Sequence, residues 1–255
     1  MEYRNVGRSG LQVSVVGLGC NNFGGRIDAA QTQIVVDKAI DLGITLFDTA
    51  DIYGGAGKSE EFLGKALGAR RHDVVVATKF AGKMGEGPMK SGASRAYIMR
   101  AVDASLRRLN TDYIDLYQVH FPDVTTPIEE TLRALNDVVR DGKVRYIGSS
   151  NFSGWQTVEA ALLAEFKHLT PFVSAQNEYS LLNRRIEAEL VPAVEKYGLG
   201  ILPYFPLASG LLTGKYRRDE EPAEGTRLQR WGDRATGMLS TENFDKVERL
   251  TAWAD

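Results

Sequence analysis

At 255 residues the chain is the size of one large hydrophobic core or a single α/β barrel, so one domain over residues 1–255 is the expectation. Apolar residues at 43% and charged residues at 25% are ordinary for a globular protein, and no run of about eighteen apolar residues exists to cross a bilayer. A net charge of −2, with Lys and Arg dispersed along the chain, leaves no basic footprint for nucleic acid and favours a small-molecule partner by elimination. The start, Met1 to Val6, lacks an apolar signal core, and the single Cys20 forms no internal disulfide, so a reducing cytoplasm is expected. Nothing in the pattern chooses between a monomer and a homo-oligomer.

Short runs rich in Val, Ile, Leu and Tyr alternate with longer segments of helical periodicity. In chain order the runs are Val13–Leu18, Ile44–Phe47, Val74–Thr78, Tyr113–Val119, Val144–Ser149, Phe172–Gln176 and Leu199–Tyr204. Their nearly continuous apolar character suits strands covered on both faces, as in a parallel sheet. Between them, Ser94 precedes a helix with Ile98, Val102, Leu106 and Leu109 on one face, and Asn110 ends it. Thr126 is the expected cap of the next, with Pro127 in its first turn, Ile128, Leu132, Leu135 and Val139 as its stripe, and Gly142 as its left-handed stop. A third helix starts near Ser153, and a fourth carries Ile186, Leu190 and Val194 before Gly198. Arg217 to Ser240 has few aliphatics and no period, and reads as a long surface loop that either is plain solvated insertion or lies over a site. Strand then helix, repeated, gives either a closed barrel or an open doubly wound sheet. The loop Gly17 to Gly24 lacks the G-x-G-x-x-G spacing of a dinucleotide-binding open sheet, which favours the barrel.

In a barrel the chemistry sits where strands end, so polar groups closing apolar runs are the first candidates. Asp48 closes one run, Lys79 another and His120 a third, while Tyr53 follows Asp48 by five residues. Each alone reads equally well as a solvated loop residue. Together they make sense, because an acid and an ammonium near a barrel mouth are tolerated as a pair. An ammonium beside Tyr53 would lower the phenol's pKa and fit it for proton transfer. Cys20 reads as a small buried apolar residue rather than a reactive thiol. His72 and His168 lie in polar connections without a partner pattern and are given no role.

The segment from Phe47 through Asp48 and Tyr53 to Gly54, followed by Lys58-Ser-Glu-Glu-Phe-Leu-Gly64, resembles the aldo-keto reductase signature. Ala77-Thr-Lys-Phe80, Asp115 to His120, Ile147-Gly-Ser-Ser-Asn-Phe152, Gln176-Asn-Glu-Tyr179, Tyr204-Phe-Pro-Leu207 and Gly210 to Tyr216 follow in the family's order. The resemblance implies a (β/α)8 TIM barrel with an N-terminal β-hairpin, and reduction of an aldehyde or ketone to an alcohol by hydride from nicotinamide C4. It implies Tyr53 as proton donor, Lys79 lowering its pKa, Asp48 holding Lys79, and His120 orienting the carbonyl. NADP(H) is the implied cofactor, with no metal. Ser150, Asn151 and Gln176 would bond its carboxamide, Tyr204 would stack on the nicotinamide, and Gly19, Cys20, Asn21 and Asp48 would lie near the adjoining ribose. Phe205 and Pro206 would also bind the cofactor, and the Leu207–Lys215 loop, with Leu207, Ser209, Gly210 and Leu211, would hold the pyrophosphate, Lys215 supplying charge. Without the family context, Ser150 and Asn151 would read as a helix cap and Tyr204 as a core aromatic.

The resemblance also implies a further helix and an eighth strand after Asp255. The chain is therefore expected to lack its last βα unit and, with it, the groups that hold the adenosine and its 2′-phosphate, so the cofactor's phosphate preference comes from the family alone. Helical spacing of Phe244, Val247, Leu250 and Trp253 continues to the end. Loss of that segment would weaken cofactor binding and expose strand edges. A second reading of the same resemblance is a cofactor-sensing binding subunit similar to the β subunits of potassium channels. The identity of the carbonyl substrate is not legible, because variable loops set it.

Overall fold

The computed structural model describes residues 1–87 and 89–254; Pro88 and Asp255, the latter the end of the expected domain, lie outside the described residues. The chain divides into two compact units, Met1–Gln176 with Glu189–Ile201, and Asn177–Ala188 with Leu202–Asp255.

The first unit opens with a hairpin in which β1 (Tyr3–Asn5) pairs antiparallel with β2 (Gln12–Ser14). A seven-stranded parallel sheet follows in chain order: β3 (Gly17–Gly19), β4 (Leu46–Asp48), β5 (Val75–Phe80), β6 (Ile114–Val119), β7 (Val144–Ser150), β8 (Phe172–Gln176) and β9 (Gly200–Ile201). Its connections carry α1 (Ala29–Asp41), the single turn α2 (Tyr53–Ala56), α3 (Lys58–Leu67), α4 (Arg95–Leu109), α5 (Ile128–Arg140), α6 (Gly154–Phe166) and α7 (Leu190–Tyr197). The expected run Val13–Leu18 is not one strand. Ser14 exchanges hydrogen bonds with Thr45 at 2.9 Å in both directions and donates its hydroxyl to the Val16 carbonyl, which ends β2 before β3 begins. Leu199–Tyr204 shortens to two residues in β9, since Pro203 has no N–H to continue a ladder.

The helices are set by their ends and their faces. Asp28 and Ser153 each form a capping box, with Gln31 and Gln156, that starts α1 and α6. Ser94 caps α4, and Asn110 stops it at φ 51°. In α5, Leu132, Leu135 and Val138 are fully buried while Glu129 and Arg133 pair on the outer face. Its cap is Pro127, not Thr126. The Thr126 hydroxyl instead donates to Asp123 at 2.8 Å, and Asp123 also accepts from Thr125 and from the Ala93 N–H. Gly64 lets α3 approach α4 so closely that a Cβ there would strike the Leu109 carbonyl. The core between sheet and helices includes Phe47, Val76, Phe80, Ile98, Ile114, Tyr117, Leu132 and Ile147.

The second unit contains 3-10 turns at Arg185–Ala188, Ala208–Thr213 and Gly232–Ala235, and two helices, α8 (Arg227–Trp231) and α9 (Thr241–Ala254). The expected loop from Arg217 to Ser240 is thus partly ordered. Leu228 and Ala235 join Leu211, Tyr216, Phe244 and Val247 in a core of their own, and the Tyr216 hydroxyl accepts the Leu228 N–H at 3.2 Å. A five-residue helix is too short to announce a 3.6-residue period. Ile186 likewise lies in a 3-10 turn and not in α7. No helix among the described residues is long and apolar enough to cross a membrane.

Candidate active site

Side chains along a strand alternate between faces, so each strand of the parallel sheet carries one row toward the helices and one row away from them. Phe80 and Tyr117 stack in the helix-facing row at 4.7 Å. The other row brings Lys79 beside Gln118, Gln118 beside Gly148, and Ser150 beside Gln176, while Gly19 pairs with Asp48 on the neighbouring strands. Polar side chains therefore collect at the carboxyl ends of β4 to β8.

Lys79 is 0% exposed. Its ammonium donates to Asp48 Oδ2 at 2.7 Å and to the Thr49 carbonyl at 2.8 Å, and it also hydrogen-bonds the Tyr53 side chain. Burial pulls the Lys79 pKa down, but the Asp48 charge and Tyr53 outweigh it, so the group is held above its ordinary value as an ammonium. Asp48 Oδ1 accepts from Gln176 Nε2 at 3.0 Å and from Gln118 Nε2 at 3.3 Å. Gln118 is a component the sequence reading missed. It sits two residues before His120 inside an apolar run, and period-two alternation from His120 was the available signal.

The Tyr53 ring lies 5.1 Å from the Lys79 nitrogen and meets His120 edge-on at 5.7 Å. Lys79 was expected to lower the phenol's pKa. Burial is the larger effect, so the phenol is held above its usual range and Lys79 only limits the rise. The His120 ring stacks on Phe121 at 4.2 Å, and its Nδ1 is buried without a hydrogen-bond partner among the described residues. Burial, reinforced by the Lys79 charge, lowers its pKa to about 3, so the imidazole is neutral.

The expected carboxamide group also gathers at this end. Ser150 Oγ donates to the Gln176 carbonyl at 2.9 Å, and Asn151 Nδ2 donates to the His120 carbonyl at 2.9 Å. Asn151 adopts φ 61°, a left-handed conformation that Asn tolerates. Cys20 donates its N–H to the Asp48 carbonyl at 2.8 Å; its thiol is buried and pushed up by that burial and by Asp48. Asn21 is exposed, and Gly19 is exposed with open space where a Cβ would stand. His72, given no partner in the sequence, shares a hydrogen bond of 3.0 Å with Tyr113 Oη.

Within the second unit, Phe205, Ala208, Ser209 and Gly210 all have positive φ, a conformation that costs about 1–3 kcal/mol at each non-glycine position. Successive N–H groups in such a loop can form an anion-binding concavity. Tyr204 packs on Phe205 at 5.3 Å and Phe205 on Trp231 at 6.0 Å. Pro206 and Leu207 are exposed, Leu211 is buried in the small core, and the Lys215 nitrogen lies 5.3 Å from the Tyr216 ring.

A parallel α/β protein with a carboxylate, an ammonium and a neutral imidazole at consecutive strand ends, and a phenol in the turn after the first, is equipped for acid–base chemistry. The chain belongs to the aldo/keto reductase family, whose pattern matches residues 15–255. It is 40% identical over 98% of its length to a probable voltage-gated potassium channel subunit beta of Oryza sativa subsp. japonica, covering 77% of that protein. It is 44% identical to an uncharacterized oxidoreductase, YrpG, of Bacillus subtilis, over 91% of this chain and 74% of the relative. It is also 37% identical to L-glyceraldehyde 3-phosphate reductase of Escherichia coli O157:H7, over 100% of this chain and 76% of the relative.

Proposed function

We propose that the chain is an NADP(H)-dependent oxidoreductase that reduces an aldehyde or ketone to an alcohol with Tyr53 as proton donor. The observation that carries this reading is the buried Lys79, paired with Asp48, beside the Tyr53 phenol. The sheet is read as part of a (β/α)8 barrel, with residues 1–255 acting as one domain. The residues present fit a nicotinamide. Ser150, Asn151 and Gln176 together offer hydroxyl and amide groups that both donate and accept, as a carboxamide requires. Gly19 leaves open space beside Asp48 where any side chain would intrude. Tyr204, the 205–211 loop and Lys215 are the groups for the nicotinamide face and the pyrophosphate.

When bound, the nicotinamide supplies hydride to the carbonyl carbon. The chain's own residues handle the oxygen. A neutral His120 can donate an N–H to it without adding a charge, which orients the carbonyl. Tyr53 is a protonated phenol at working pH and donates that proton as negative charge develops. The Lys79 ammonium stabilises the phenolate left behind, and Asp48, fixed by Gln118 and Gln176, holds Lys79 in line. Absorbance of reduced nicotinamide tests the reading, with NADPH and a panel of aromatic, aliphatic and phosphorylated aldehydes. Multiple-turnover oxidation with at least one of them is expected, and none above background would overturn it. The channel-subunit relative motivates a second reading, a cofactor-sensing subunit. Tight NADPH binding with about one slow turnover per bound cofactor would favour that reading instead.

A further inference from the structure

Asp51, Glu60 and Lys79 are buried near one another, and the half-buried Asp48 and Arg108 pair with two of them. Asp48 takes Lys79 at 2.7 Å, and Glu60 takes Arg108 at 2.6 Å while its other oxygen accepts the Thr78 hydroxyl at 2.5 Å. The third acid, Asp51, is 1% exposed, and among the described residues neither of its oxygens has a side-chain hydrogen-bond partner, the adjoining Ile52 N–H alone acting on it. Both cations are already taken. A carboxylate left there would face the Glu60 charge in a medium that solvates neither, so one acid of the three must stay protonated. That acid is Asp51, the one without a cation.

Its place in the chain gives this a consequence. The Thr49 N–H donates to the Ala77 carbonyl at 2.8 Å and the Asp51 N–H to the Lys79 carbonyl at 3.1 Å, so Asp51 is the last rung tying the segment to β5 before Tyr53. The Asp51 side chain is packed close to Gly82, where an added Cβ would come within 3.5 Å of Oδ1. We propose that Asp51 is a positioning residue for the reaction proposed above: as a neutral acid it lets the Asp48–Tyr53 segment lie against β5, and its ionisation lifts the segment and takes Tyr53 and Lys79 out of alignment. The inference rests on that reading of the reaction.

The groups facing Asp51 agree with this. Burial and the Glu60 charge on α3 raise its pKa to about 8, while Arg108 on α4, the Ile52 N–H and Lys79 on β5 oppose the rise. Tyr97 on α4 and Tyr117 on β6 also feel its charge, and both are pushed up chiefly by burial. Asp51 therefore ionises as pH rises through about 8, below the range in which Tyr53 loses its own proton. The folded pKa of this acid exceeds the unfolded one, so its effect on stability is absent below about pH 4 and grows unfavourable up to about pH 8.

The experiment measures kcat against pH for the wild type, Asp51→Asn and Asp51→Ala, together with carboxyl carbon NMR and thermal unfolding. In wild type, kcat should fall about tenfold per pH unit above the inflection near 8 while the carbonyl KM moves little. Asp51→Ala should lower kcat at pH 7 about tenfold or more by loosening the segment, and Asp51→Asn should restore it to within about threefold and remove that inflection. Asp51→Asn should also unfold at a higher temperature than wild type at pH 8.5 and at the same temperature at pH 4. In aspartate-labelled wild type, one carboxyl should titrate near 8. An inflection that survives Asp51→Asn, or a wild type with no aspartate titrating above pH 6, overturns the proposal even if the asparagine variant fails to fold. A carboxyl titrating near 8 in a protein that reduces no carbonyl would overturn the reaction, and the positioning role with it, while leaving the buried acid in place.

Discussion

Lys79 has no water to fall back on, so Asp48 decides whether it remains an ammonium. Asp48→Asn keeps the shape but leaves a buried cation without its counterion, and should lower stability by about 3 kcal/mol, read from denaturant midpoints. A loss under about 1 kcal/mol would mean that the Thr49 carbonyl and Tyr53 suffice to hold the charge. The ends of apolar runs made Asp48, Lys79 and His120 legible in the sequence, since a charge closing such a run is conspicuous. Gln118, Glu60 and Asp51 were not, because a polar residue within an apolar run, a helix or a turn carries no mark of its partners. Nor was the direction of the Tyr53 pKa, which depends on how deeply the ring is buried.

At the scale of elements, the joint between α3 and α4 is where packing is tightest. Gly64→Ala places a methyl against the Leu109 carbonyl, and the helices must separate; a loss of about 1–3 kcal/mol in denaturant unfolding is expected. Unchanged stability would mean that the joint yields freely. Arg108→Met, on the same joint, strips the buried Glu60 of its cation and should cost about 3–5 kcal/mol in denaturant unfolding. A loss under about 1 kcal/mol would mean that the Thr78 hydroxyl suffices to hold Glu60. Capped helices with long stripes, such as α4 and α5, were legible because Ser94, Asn110 and Gly142 mark their ends. The break between β2 and β3 was not, since it rests on the Ser14 side chain pairing with Thr45, residues thirty-one apart. Thr126 misled because Asp123, three residues earlier, competes for its hydroxyl.

At the scale of the whole molecule, charge and acid–base chemistry meet in the pH dependence. His120 is depressed to about 3 in the fold against an ordinary 6.5, so its share of stability is complete above 6.5 and is lost as pH falls toward 3. His120→Asn should flatten that acid limb of the unfolding profile, and an unchanged limb would mean that the imidazole is not buried neutral. The alternation of strand and helix read from the sequence correctly anticipated a parallel sheet, because apolar runs about thirty residues apart leave few other arrangements. The most direct test of the account is Tyr53→Phe, with kcat for carbonyl reduction and NADPH affinity measured side by side. The ring and its packing remain while the proton donor is removed, so kcat should fall about 10²–10⁴-fold with cofactor affinity within about threefold of wild type. A variant that keeps its turnover, or loses turnover and affinity equally, would contradict the assignment of Tyr53 as the proton donor.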